Sequence, residues 1–552
     1  MKVTNIASAR AALGVSEYDY IVVGAGSAGS VLANRLSEDG RHTVLVLEAG
    51  GSDFNFWIRM PIGYGKTFFD PKVNWKYSSG PEPGLGGRRS YWPRGKVLGG
   101  SSSINAMVYV RGHPGDFDDW AIDAPGWSWA DVAPIFKRME DWSGGADPYR
   151  GSGGPLHVQD ITGDVHPLCQ AYLAAARDLQ IPINPDYNGA SMEGAAIYQI
   201  TTKGGLRAST ARCYLRPSLK RSNLHLETKA HVTKVLFEGR KAIGVAYRQR
   251  GKELIARARR EVVISGGAIN SPQLLQLSGI GPAEALRNTG IDVLLDSPHV
   301  GQNLQDHLGL SHHYRSRVPT LNQILGPWFG RLCVGLQYLV KRRGPLSLSI
   351  NQAGGFVRSD PDLERPDLQL YFSPVSYTHI PPDKRAMMSP DPFPGFLLGF
   401  NPCKPTSRGY LEIRSPDPMA APAIHPHYLS TEEDMELMLA GTKLLRNLAT
   451  TPALAAIIDE EIEPGAHIVS DQDLRIFVRD KSWTVFHPSC TCRMGDDPSS
   501  AVVDSRLRVH GIDGLRVADA SIFPSVPTGN TNAPTIMVGE KAADMIREDA
   551  VT

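Results

Sequence analysis

The stretch YDYIVVGAGSAGSVLANRLSEDGRHTVLVLEAGG, residues 18–51, constrains the fold of this chain more than any other. Tyr20, Ile21, Val22 and Val23 form a short apolar run, Gly24, Gly26 and Gly29 space out a GxGxxG, and Val31, Leu32 and Leu36 follow at helical spacing. The pattern predicts strand, tight turn and helix. Gly24 permits the turn, Gly26 removes the side chain that would block a pyrophosphate, and Gly29 lets helix and strand pack closely. Ser27 and Ala28 open the helix, where free N–H groups and the positive end of the helix dipole meet phosphate. A second strand over residues 44–47 runs into Glu48 and Ala49. Glu48 lies 19 residues after Gly29 and can accept hydrogen bonds from a ribose diol. The fingerprint predicts a dinucleotide site and does not by itself separate NAD from FAD.

A chain of 552 residues exceeds what one hydrophobic core supports, so roughly three to four domain-sized units are expected, fused into two large lobes. Lys and Arg number 58 against 57 Asp and Glu, and the charges are interspersed. Neither a nucleic-acid groove nor a polybasic anchor is expected. The six cysteines, Cys169, Cys213, Cys333, Cys403, Cys490 and Cys492, are too few and too scattered for a disulfide framework, which points to a reducing compartment. The N-terminus lacks the apolar region of a signal peptide, and no stretch approaches the roughly 18 apolar residues of a membrane span. A soluble cytoplasmic protein without a transmembrane segment is expected.

The segment PRGKVLGGSSSINAMVYVRG, residues 93–112, has a composition that neither an ordinary strand nor a helix would choose. Its run of small residues offers backbone that can lie flush against a flat polar ligand, with Arg94 and Lys96 adding positive charge. Together with SGGAINSPQLLQLSGIGP (265–282), VGQNLQDHL (300–308), FHPSCTCRMG (486–495) and GLRVADASIFPSVPTGNTNAPTIMVGEKAADMI (514–546), it resembles the glucose-methanol-choline (GMC) oxidoreductases, which are FAD-dependent. The resemblance runs along nearly the whole chain and is weakest at about 315–400. It implies an α/β fold: a doubly wound, Rossmann-like FAD-binding domain with a second α+β substrate-binding domain built on an antiparallel sheet. The implied division is 17–310 for the FAD-binding domain, with excursions, 311–480 for the substrate-binding domain, and 481–552 for a C-terminal return to the FAD domain. It also implies that FAD is held by the fingerprint residues, by Arg94, Val97, Gly99, Gly100, Ser101, Asn105, Ala106 and Met107, by the backbone of Val232, and by Asp519, Ala520, Asn532 and Thr535. Some members of the family attach the flavin to a histidine in the glycine-serine segment. Here the matching position is Ile104, so non-covalent FAD is expected.

FHPSCTCRMG places one histidine and two cysteines within six residues. Zinc would need four ligands, or three and water, and Cys490 and Cys492 form CxC with no second pair in the sequence to match. A disulfide between residues two apart would be strained, and the redox motif is CxxC. The third reading is a catalytic base. Flavin-dependent alcohol oxidation needs a group to take the hydroxyl proton as hydride leaves the α-carbon for flavin N5, and histidine titrates in the right range. His487 occupies the family's active-site histidine position, with the cysteines as packing residues. The family's second site residue, histidine or asparagine, falls in TGNTNAPT, just before a helix that carries Pro534 in its first turn. Asn532 is taken as that residue, with Asn530 the competing asparagine. The same helix end favours negative charge at flavin N1 and C2=O, which gives Thr535 a purpose.

The substrate side is less constrained. Alternation in RPDLQLYFSP (365–374) puts Leu368, Leu370 and Phe372 on one strand face and Gln369, Tyr371 and Ser373 on the other, so Tyr371 is a candidate substrate contact. Trp57, Trp328 and Phe329 are apolar candidates for an entrance, or else core. The expected reaction is oxidation of an aromatic, heteroaromatic or alkyl primary alcohol to the aldehyde, with oxygen or another acceptor reoxidising the flavin. A choline dehydrogenase is the runner-up, since no carboxylate can be placed for its cation. A flavin amine oxidase or hydroxylase, a nicotinamide-dependent dehydrogenase and a non-catalytic flavoprotein are the other classes.

Overall fold

A computed structural model of the chain describes residues 15–378 and 389–550. Residues 1–14, part of the segment read for a signal peptide, lie outside the described residues. Two seven-stranded sheets organise the remainder.

In the first sheet, Val15–Val23 runs parallel to Val44–Glu48 on one side and to Lys252–Ile264 on the other, with Leu224–Thr228 parallel beyond Val44–Glu48. Val22, Val44, Val46 and Ile264 are wholly buried. Parallel strands covered on both faces need such continuous apolar runs, which is why Val44–Glu48 reads VLVLE rather than alternating. Lys252–Ile264 changes partner along its length. Residues 252–257 pair antiparallel with Lys241–Gln249, which pairs in turn with Ala230–Glu238 across the turn at Gly239 and Arg240. Residues 262–264 take Leu515–Val517 as a parallel neighbour, so the end of the chain completes the sheet begun by its start. The helix Ser27–Leu36 packs against the C-terminal helix Asn532–Asp549.

The second sheet is antiparallel and runs, edge to edge, Ile458–Glu463, Leu308–Ser316, Gly395–Pro402, Leu368–Ser373, Ala353–Val357 and Gly194–Ile197. Trp483–Thr484 pairs with the start of Leu308–Ser316. One edge strand thus comes from residues 194–197, inside the stretch assigned from sequence to the FAD lobe, so the chain crosses between the sheets more than once. Leu368, Leu370 and Phe372 are buried in the core on one side of this sheet, together with Phe396, Leu398 and Met438 of the helix Glu432–Thr450. The opposite face presents Gly309, Ser311, Tyr371, Ser373, Leu397 and Gly399 to an internal cavity.

The glycines of the fingerprint differ in what holds them. A Cβ on Gly29 would stand 1.9 Å from the carbonyl oxygen of Gly24, which itself sits at φ +98°. On Gly26 the nearest protein atom to a Cβ would be 4.0 Å away. Gly29→Ala should therefore destabilise the fold by about 1–3 kcal/mol, the usual cost of overpacking. Gly26→Val should leave the melting temperature of the FAD-stripped protein near wild type while abolishing FAD retention. Thermal melts of stripped protein and flavin absorbance of freshly purified protein check the pair, and a fully loaded Gly26→Val protein would contradict it.

Candidate active site

Two helices aim their N-termini at the same cavity, which measures about 310 Å³. Ser27–Leu36 begins after Gly26 and Asn532–Asp549 after Thr531, and neither first turn is capped by a side chain. Helix-end N–H groups need partners, and two uncapped ends bordering one cavity make it a place for anionic or strongly polar groups. The open space beside Gly26, which a Cβ would fill, fits a pyrophosphate. Gly100 packs onto this loop closely enough that a Cβ there would stand 2.7 Å from the Gly26 Cα. Glu48 accepts from the N–H groups of Ala25 (2.9 Å) and Gly50 (2.7 Å), and burial raises its carboxyl to about 7. Asp519 accepts from Gly267 N–H, Ser271 Oγ and Ser521 N–H, which ties the C-terminal segment to a third helix start.

Most residues expected to hold the cofactor line this cavity: Gly24, Gly26, Ser27, Ala28, Glu48, Ala49, Arg94, Gly100, Ser101, Asn105, Ala106, Met107, Val232, Asp519, Ala520, Asn532 and Thr535. Gly29, Val97 and Gly99 do not. Gly29 makes the helix-strand contact, Val97 is buried with Ile58, Val73 and Ile104, and Gly99 donates its N–H to the Ala25 carbonyl at 2.7 Å. These three shape the wall from behind. Arg94 lines the cavity, yet its guanidinium is occupied by carbonyls, Pro93 through Nε and Phe486 through Nη2, each at 2.6 Å. It braces the segment that carries His487. Burial lowers it to about 10, still a cation at neutral pH.

His487 lies at the other end of the cavity, in a hydrogen-bonded chain whose direction is set by its terminus. The Cys403 carbonyl can only accept, so His307 Nε2, 2.9 Å away, carries a proton. Burial holds His307 neutral, its value depressed to about 4, and its Nδ1 is then an acceptor. The contact between the two Nδ1 atoms at 2.9 Å requires His487 Nδ1 to donate. Burial, His307 and Arg94 all depress the His487 value well below that of free histidine, so this ring too is neutral and its Nε2 is an acceptor. Asn530 Nδ2 lies 3.1 Å from that Nε2, and Gln369 Nε2 donates to Asn530 Oδ1 at 3.1 Å, which turns the amide the right way round. Each donor along the chain meets an acceptor.

The expected pairing of His487 with Asn532 is corrected by this geometry. Asn532 is the first residue of its helix, and its Oδ1 accepts from Ser27 Oγ at 2.7 Å, so it links the two helix starts instead. Asn530, two residues earlier in the irregular turn, faces the imidazole. Tyr371 lines the cavity as the alternation indicated, but Trp57, Trp328 and Phe329 line no part of it. Three residues with no role assigned from sequence belong to the site: His307, Gln369 and Asp306. Asp306 accepts from the His487 N–H (2.7 Å), from Thr484 Oγ1 (2.5 Å) and from the Tyr428 hydroxyl, and so fixes the backbone that presents the imidazole. Burial raises its carboxyl to about 6. For Asp306 and His307 the signal was the polar density of NLQDHL, whose partner segment is 180 residues away. Cys490 and Cys492 are fully buried in the main core and donate their N–H groups to Ala520 and Ser521. Burial pushes the Cys490 thiol up to about 12, so it packs and does not react.

The family model for GMC oxidoreductases matches the chain over residues 18–309, and its C-terminal counterpart matches residues 405–539. The chain is a GMC oxidoreductase. FAD is its cofactor, and alcohol CH–OH groups are what it oxidises. This GMC oxidoreductase is 44% identical to the mitochondrial choline dehydrogenase of Mus musculus over 551 residues, covering 97% of the chain and 90% of the relative. It is 43% identical to the alcohol dehydrogenase [acceptor] of Pseudomonas putida, with 96% and 95% covered. Among solved structures, pyridoxine 4-oxidase from Mesorbium loti superposes with a TM-score of 0.86 at 31% identity, with 96% of this chain and 99% of that one covered.

Ile104 is buried against Val97, Val73 and Ile58 and borders the cavity, where it offers no nucleophile. The nearest histidine in sequence, His113, accepts from Gly115 N–H at the start of the helix Pro114–Asp123 and does not border the cavity. Acid precipitation of the holoenzyme should release FAD into the supernatant. Yellow colour that stays in the pellet would contradict non-covalent attachment.

Proposed function

We propose that this enzyme oxidises a neutral primary alcohol, alkyl or aromatic, to the aldehyde, with His487 as the base and Asn530 as the oxygen-positioning donor. The observation that carries the reading is the unprotonated Nε2 of His487 held against the Asn530 amide at the cavity wall. An alcohol oxygen that takes the place of this contact, with the two nitrogens parted to admit it, can accept from Asn530 Nδ2 while its O–H points at His487 Nε2. As His487 takes the proton, negative charge builds on the oxygen, Asn530 stabilises it, and hydride leaves the carbinol carbon. FAD, when bound, supplies the hydride acceptor, held by the Gly24–Gly29 loop, Glu48 and the uncapped start of Asn532–Asp549. His307 keeps the proton of His487 on Nδ1, the side away from substrate.

The choice of a neutral alcohol rests on what surrounds His487. Phe486 is in edge contact with Phe68 and Trp483, at 5.3 and 5.6 Å between ring centroids, and Phe68 leans on Tyr64 at 5.4 Å. Among the described residues, the carboxylates bordering the cavity are Glu48 and Asp519, both engaged by backbone N–H groups around the phosphate loop. Asp306, nearest His487, already accepts three hydrogen bonds. None is offered to a cation. The relatives named choline dehydrogenases favour a second reading, in which the same rings hold a quaternary ammonium by cation–π attraction. Six cysteines without disulfide partners support a reducing, cytoplasmic setting. Oxygen or another acceptor completes the cycle.

His487→Ala should slow anaerobic flavin reduction by roughly 10²–10⁴-fold with FAD still bound. Asn530→Ala should cost about 10²-fold or more, the typical loss of one preorganised donor. Asn532→Ala should instead weaken FAD binding with a smaller effect on the reduction rate of loaded enzyme. Stopped-flow reduction and FAD titration separate these outcomes, and a larger rate loss from Asn532→Ala would reverse the assignment.

An anaerobic panel decides the substrate class. Hexanol or benzyl alcohol should bleach the flavin at far lower concentration than choline does, with the matching aldehyde as product. Preferential bleaching by choline would select the second reading.

A further inference from the structure

Trp57, Trp328 and Phe329 belong neither to the cavity nor to the core; all three are exposed. In the helix Trp328–Lys341 two side chains are buried, Val334 and Tyr338. At about 100° per residue, Trp328, Phe329, Leu332, Leu336, Leu339 and Val340 fall within an arc of about 120° on the side opposite Val334 and Tyr338. All six are exposed, Trp328 at 74% and Val340 at 80%. Cytosol-facing helices normally turn such a stripe inward. The turn Pro345–Ser347 packs on this helix and also on Pro61–Gly63, which follows a second exposed group, Phe54, Phe56 and Trp57. There Arg59 covers the Phe54 ring at 3.9 Å and Lys66 lies 5.5 Å from the Trp57 ring.

The charge along this helix and its flanks in sequence has one sign. From His307 to Ser359 the chain contains no Asp or Glu, while Arg331, Lys341, Arg342 and Arg343 are exposed on or just after the helix. A second copy of the chain placed symmetrically on the face would bring these cations together, which disfavours self-association. An anionic bilayer surface satisfies both features. Apolar side chains enter the headgroup boundary, aromatic rings sit at that level, and Lys and Arg meet lipid phosphate. Among the described residues no helix is long and apolar enough to cross a membrane, so contact through this helix is peripheral.

We propose that the helix Trp328–Lys341, with Phe54, Phe56 and Trp57 beside it, is a docking surface for an anionic phospholipid bilayer. Tyr64 and Asn351, which border the cavity, flank the same turns: Ile350 N–H donates to the Tyr64 hydroxyl at 3.2 Å. Docking therefore sets the substrate side of the cavity next to the lipid.

The holoenzyme is sedimented with vesicles of phosphatidylcholine containing phosphatidylglycerol and with vesicles of phosphatidylcholine alone. Binding to the anionic vesicles is expected, weakening with added salt. The triple variant Trp328→Ser, Leu336→Ser, Val340→Ser should bind at least about tenfold less, with FAD content and alcohol-driven flavin reduction in solution unchanged. Arg331→Glu with Lys341→Glu should remove the preference for anionic lipid. A fluorophore on the exposed Cys333 should shift to the blue on binding. The proposal is overturned if the holoenzyme binds neither vesicle, if the triple variant binds as wild type does, or if analytical ultracentrifugation finds a dimer that the triple variant abolishes.

Discussion

Two buried imidazoles joined through their Nδ1 atoms at 2.9 Å decide what the active site can do. A hydrogen bond between two such nitrogens is possible in only one sense once either proton is fixed, and the Cys403 carbonyl fixes it. The consequence passes along the chain to His487 Nε2, which meets the Asn530 amide at the cavity wall. Depressed basicity, from burial beside His307 and Arg94, keeps the lone pair available at neutral pH. A base that is neutral before substrate arrives can take a proton without first losing one. The remaining polar groups of the site, Asp306, Arg94 and Gln369, hold the backbone or the amide that this chain depends on.

The same economy governs the cofactor end. Side chains cap neither Ser27–Leu36 nor Asn532–Asp549, and a single hydrogen bond between Ser27 and Asn532 registers their starts. That contact joins residues 505 positions apart. Together with Leu515–Val517 in the first sheet, it makes the C-terminal segment part of the dinucleotide site and also the carrier of Asn530. Cofactor cradle and base partner are thus positioned by the same short turn.

Residues 18–51 were legible because strand, turn and helix are each specified locally, and steric demands at Gly24 and Gly29 leave little choice of residue. His487 and Tyr371 could be found from a motif and from alternation. The asparagine could not be settled that way: Asn530 and Asn532 both precede Pro534, and which one faces the imidazole depends on the backbone turn at Gly529, φ +88°, and on Ser27 claiming Asn532. His307 was invisible for a similar reason, since its role exists only when residues 305–308 pair with 484–489. Trp328 and Phe329 read as entrance or core because apolar side chains normally are one or the other. Only the placement of Val334 and Tyr338 reveals that the stripe points outward.

The position of one proton tests the account most directly. Neutron diffraction from deuterium-exchanged crystals of the FAD-loaded enzyme near neutral pH would locate it. The account predicts deuterium on His307 Nε2 and on His487 Nδ1, with none on His487 Nε2 and the Asn530 amide turned with its nitrogen toward that atom. Deuterium on His487 Nε2, or on His307 Nδ1, would contradict it.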